Sequence, residues 1–95
     1  MIAEDQVKRK VDYRILEVQQ ASPETEIRVI IVTNVPPSEP ILAELTSAHL
    51  KVVKVFPDFY SVKVEGRAKH VMAVSSRDFV KYLILDEILV RGAEL

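Results

Sequence analysis

Residues 51–64 read KVVKVFPDFYSVKV, two apolar runs joined across Pro57 and Asp58. The first run, Lys51 to Phe56, and the second, Phe59 to Val64, form a predicted β-hairpin. Side chains on a strand alternate between faces. If Val52 and Phe56 face a core, Val53 and Val55 therefore face the other way. An antiparallel sheet of a small domain ordinarily has one apolar and one wet face. The first strand of this hairpin is apolar on both, and something must cover the second.

Working outward, "IRVIIVT" at 27–33 is a second predicted strand, dense in β-branched residues and again apolar on both parities. "NVPPSEP" ends it. Ser38 is placed to cap a helix whose first turn holds Glu39 and Pro40, with Ile41, Leu42, Leu45 and Ala48 as its apolar stripe. Beyond the hairpin, "GRAKHVMAVSSRDF" gives a helix with Ala68, Val71, Met72 and Ser75 on one side. A last strand follows, "VKYLILDEI", with Val80, Tyr82 and Ile84 opposed to Leu83 and Leu85. At the start, Val7, Val11, Ile15 and Val18 have helical spacing within residues 3–19, although "VDYRI" also alternates as a strand does. The polar "QQASPETE" separates this helix from the rest.

The order is a helix followed by β-α-β-β-α-β. This is an α+β, ferredoxin-like split β-α-β pattern with a four-stranded antiparallel sheet and two helices on one face. The chain divides into an N-terminal helical extension and linker over 1–25, an α+β domain over 26–90 and a tail over 91–95. The sheet's second face is then open. An exposed apolar sheet face marks an interaction surface, and three covers are available: the N-terminal helix, a second copy of the chain, or a different protein.

Composition narrows the function. The 95 residues carry a net charge of −1, with 48% hydrophobic and 28% charged residues and no cysteine. Near-neutral charge argues against a general nucleic-acid or membrane-surface protein. The absence of cysteine removes disulfides and thiolate metal sites. Only two glycines occur, so glycine-rich phosphate loops are impossible. The first residues lack the apolar core of a signal peptide. Ser, His and Asp are present without a nucleophile elbow, and the reading is of a protein that is not an enzyme and needs no cofactor. His49 at a helix end and His70 in the next helix read as structural, since two histidines on different helices do not by themselves make a metal site. Phe59 and Tyr60 read as aromatics closing the hairpin, because the glycine and basic charge of an RNA-stacking strand are missing. Lys8, Arg9 and Lys10 read as a solvated helix face.

From Leu50 onward, "LKVVKVFPDFYSVKVEGRAKHVMAVSSRDFVKYLILDEI" resembles the propeptide of subtilisin-like serine proteases, a family that includes free-standing subtilisin inhibitors. Lys51-Val52, Phe56, Val71 and Val80-x-Tyr82-Leu83 stand at matching positions, with Asp86 at the strand end. Upstream, "YRILEVQQASPETEIRVIIVT" is similar to the helix, proline-bearing linker and strand of longer, archaeal-type subtilase propeptides. The chain departs from the pattern in three places. Ala48-His49-Leu50 stands where the family commonly has glycine, Arg77-Asp78 where it has Asp-Pro, and Ile84 where it has the first of two acidic residues.

The resemblance implies an inhibitor and folding chaperone that binds one subtilisin-like serine protease in a 1:1 complex and is a monomer when free. The open face, with Val53 and Val55, packs on two protease helices. Asp86 meets their N-termini, where carboxylates are favoured, and Glu87 stands beside it. The tail, with Gly92, Ala93, Glu94 and Leu95, lies product-like in the substrate groove. Leu95 suits an apolar primary specificity pocket, whereas Gly92 matches poorly the apolar preference at the fourth position from the end. Such a protein is secreted when part of a subtilase precursor and otherwise cytoplasmic. The alternative from another class is a small self-associating ferredoxin-like regulatory or ligand-binding module. The glycine-free "TNVPPSEP" loop counts against that alternative. A third reading has the N-terminal helix simply covering the open face.

Overall fold

The computed structural model describes residues 10–89. In chain order the elements are α1 (Tyr13–Ala21), β1 (Glu26–Thr33), α2 (Glu39–Ser47), β2 (Lys51–Phe56), a 3-10 turn (Pro57–Phe59), β3 (Ser61–Arg67), α3 (Ala68–Val74) and β4 (Val80–Ile88). The four strands form one antiparallel sheet in the order β2-β3-β1-β4. Thus β3 lies between the parallel pair β1 and β2, and β1 between β3 and β4. Each β-α-β unit is split by one strand, as in a ferredoxin-like arrangement.

Alternation decides which face the helices cover. On β1, Ile27, Val29, Ile31 and Thr33 are buried, while the residues between them are half-buried. Val62 and Val64 of β3 and Leu83 and Leu85 of β4 stand beside them across the ladder. Ile41 and Leu45 of α2, and Ala68, Val71 and Val74 of α3, close over this layer in a single core. The helices start as their sequences dictate. Ser38 is the N-cap of α2, although its hydroxyl makes no capping hydrogen bond, and proline falls in the first turn.

Of the N-terminal helix, the described part, α1, does not cover the open face. Val11 and Ile15 belong to the same core as α2 and α3, and α1 packs beside α3 and β4. Val11 is not helical: it forms a parallel bridge with Leu83 on the outer edge of β4. The helix begins only after Asp12, whose carboxylate accepts the N–H of Arg14. The strand alternative for "VDYRI" does not hold, since Tyr13, Arg14 and Ile15 are helical and Val11 makes an isolated bridge.

The hairpin corrects the regular-strand reading. Val52 pairs with Val64, but the next partner of β3, Lys63, faces Lys54, leaving Val53 as the extra residue of a β-bulge. Val55 then pairs with Val62 and packs against the core, and Phe56 pairs with Ser61 on the opposite face. The bulge advances the alternation by one residue, so Val52 and Val55 share a face. Pro57–Phe59 turn the chain, and Tyr60 completes the corner at φ 51. Phe59 is thereby left outside β3 and 76% exposed. The bulge and the lysines also suit an edge strand, since both discourage pairing with another chain. Among the described residues no helix is long and apolar enough to cross a membrane.

Candidate protein-binding face

Three rows of side chains cross the sheet face opposite the helices. The first runs Phe56, Ser61, Val32, Tyr82; the second Lys54, Lys63, Ile30, Ile84; the third Lys51, Glu65, Arg28, Glu87. The face is thus apolar at one end and ionic at the other. Ile84 is 37% exposed, and the Lys54 ammonium lies 5.4 Å from the Phe56 ring centroid. Among the described residues no helix packs over these rows.

Arg28 organises the ionic end. Its Nε donates to Glu65 Oε2 at 2.9 Å and its Nη1 to Glu87 Oε1 at 2.6 Å. Asp86 Oδ2 lies 3.9 Å from the same guanidinium and 3.8 Å from Lys63 Nζ. On a regular strand Asp86 and Glu87 point to opposite faces. Here β4 bulges between Leu85, opposite Val29, and Glu87, opposite Arg28, with Asp86 as the extra residue. Both carboxylates consequently reach cations on the open face. Such partly solvated pairs contribute little to stability, so the acids can exchange these partners for others at small cost.

Of the residues assigned to binding from sequence, Asp86 and Glu87 are on this face. Val53 sits at the bulge, 43% exposed. Val55 is corrected: it faces the core. Gly92, Ala93, Glu94 and Leu95 lie outside the described residues. Sequence reading missed Ile30, Val32, Phe56 and Tyr82 as lining residues. The apolar even positions of β1 and β4 signalled three of them, but the β2 bulge hid Phe56.

At one end of the sheet, a pocket of about 460 Å³ is lined by Glu26, His49, Lys51, Glu65, Gly66, Arg67 and His70. The rings of His49 and His70 have centroids 4.9 Å apart and planes inclined by 36°. Burial, and then the neighbouring His49, lower the His70 pKa from its usual value. His49 occupies a left-handed backbone position, φ 71, just past the last turn of α2. Helices favour glycine there. Among the described residues no group of three or more His, Cys, Asp or Glu side chains is arranged to hold a metal ion.

The fold and the open face define a small α+β domain with one helix-covered and one exposed sheet surface. Compared with protein-family models, curated proteins and solved structures, the chain has no significant match.

Proposed function

We propose that this chain is a propeptide-like inhibitor and folding chaperone of a subtilisin-like serine protease, binding through its open sheet face. The observation that carries the reading is the pairing on that face of an apolar end with two adjacent carboxylates, Asp86 and Glu87, at the end of β4. A surface of this kind fits two protease helices presented by their N-termini, whose unpaired N–H groups and dipoles favour anions. The family pattern has two acidic residues spaced by one, and Ile84 stands in place of the first. The β4 bulge offers a substitute by bringing Glu87 to the same side as Asp86. In this reading the residues after β4 enter the substrate groove, with Leu95 in an apolar pocket, and add backbone pairing. No catalytic residue is assigned to the chain.

The test is a titration of a mature subtilisin-like protease with the full chain while peptide hydrolysis is followed. Near-stoichiometric loss of activity is expected, with the free chain a monomer. No inhibition, together with a dimer in solution, overturns the proposal in favour of a self-associating module.

A further inference from the structure

We propose that His49 and His70 form a two-imidazole site for a late first-row divalent metal ion such as Zn²⁺, at the corner where α2 turns into β2. Zinc binds imidazole nitrogens at about 2.0–2.1 Å, and two rings on one tetrahedral ion have their centroids about 5 Å apart. The centroids here are 4.9 Å apart. The spacing of the two rings is thus that of two imidazoles on a common ion.

The surroundings hold the corner in place and leave it accessible. A side-chain carbon on Gly66 would come within 2.5 Å of Leu50 Cδ2 and 3.4 Å of the His49 carbonyl oxygen, so this corner rests directly on β3. His49 is exposed and His70 half-buried beside an open pocket, which gives an ion a route of entry. The charged groups lining the pocket balance: Glu26 and Glu65 stand against Lys51 and Arg67. Arg67 is paired with Glu24 at 2.9 Å, and Glu24 also pairs with Lys69 at 2.7 Å. With two protein ligands, water completes the tetrahedral coordination. Imidazole selects zinc, copper or nickel, whereas calcium and magnesium take oxygen ligands. A bound ion ties the α2–β2 corner to the first turn of α3. This inference is independent of the protease-binding reading, although the pocket shares Lys51 and Glu65 with the ionic end of the open face.

The experiment is calorimetric titration of the chelator-treated full chain with ZnCl₂, paired with thermal unfolding at each addition. One equivalent of Zn²⁺ is expected to bind and to raise Tm, because a ligand of the folded state stabilises it, while CaCl₂ and MgCl₂ leave Tm unchanged. His49→Gly removes one ligand while relieving a left-handed backbone position, so the fold is retained. His70→Asn removes the other. Each is expected to weaken Zn²⁺ binding tenfold or more. The proposal is overturned if excess Zn²⁺ produces neither heat nor a Tm shift, or if both variants bind Zn²⁺ as the parent does.

Discussion

The Asp12 carboxylate accepts the main-chain N–H of Leu85 at 3.0 Å, a contact between residues 73 apart in sequence. The Asp12 N–H in turn donates to the Leu83 carbonyl at 2.9 Å. One residue thus closes the outer edge of β4 and also starts α1. The Arg14 guanidinium, 2.7 Å from Asp12 Oδ2, is the main reason that the Asp12 pKa falls from its usual value to about 2, with the N–H groups of Leu85 and Arg14 adding to it.

Asp12→Ala is expected to cost about 2 kcal/mol in urea unfolding, from a lost helix cap and an unpaired Leu85 N–H. The pH dependence has a definite sign. Because the folded-state pKa is depressed, the stabilisation is complete above the unfolded value near 4 and is lost as pH falls toward about 2. Its size is about 1–2 kcal/mol, since Arg14 is largely solvated and the pair is screened. The parent and variant stability curves are expected to converge at acid pH. Parallel curves from pH 5 to 2 would remove Asp12 from this role.

The β2 bulge separates two neighbouring valines energetically. Val55→Ala is expected to cost about 1–2 kcal/mol, because Val55 packs on the core opposite Val62. Val53→Ala is expected to stay within about 0.5 kcal/mol. A regular strand puts both valines on the open face and gives the two substitutions similar, small costs, so their Cm values decide the register.

Tyr60 carries a left-handed backbone on a bulky side chain, at φ 51. Tyr60→Asn is expected to raise stability by about 1 kcal/mol, because Asn tolerates this region better. Its carbonyl accepts the Thr33 N–H at 2.7 Å, and that bond is available to either side chain. A lower Tm for the variant would mean that the ring contributes more than the backbone costs.

Gly66→Ala places a methyl group against buried Leu50 and is expected to cost about 1–3 kcal/mol by overpacking. Thermal unfolding checks this directly. A neutral result would mean that Leu50 changes rotamer without loss.

On the proposed protease-binding face, Asp86→Ala is expected to weaken inhibition by about 1–3 kcal/mol, the scale of a charge-assisted hydrogen bond. Deletion of residues 91–95 is expected to weaken it further while leaving the Tm of the domain unchanged. Inhibition constants equal to the parent's for both variants would separate the chain from the subtilase reading.

The arrangement of elements was legible because it depends on patterns local in the chain. The β-branched stretch at 27–33 lies within β1, "VKYLILDEI" coincides with β4, and the stripe Ile41, Leu42, Leu45, Ala48 falls on α2 and its cap. Composition and spacing suffice for such elements, since strand and helix periodicities differ. What failed was phase. A bulge adds one residue without changing composition, so "KVVKVF" read as two-sided where Val52 and Val55 share the core. The same device in β4 brought Asp86 and Glu87 to one face.

By itself, the sequence determined the helices, the strands and the likeness of the α+β pattern to a ferredoxin-like split β-α-β domain. It also carried the doubled apolar character of β1 and β4 that makes the open face. Only the tertiary structure decided that α1 joins the other helices rather than covering that face. It alone brought His49 beside His70, placed Arg28 among three carboxylates and aimed each valine of the hairpin. The reason is physical: hydrophobic periodicity is written along the chain, whereas register, bulges and contacts between distant residues are fixed only when strands compete for partners in the folded sheet.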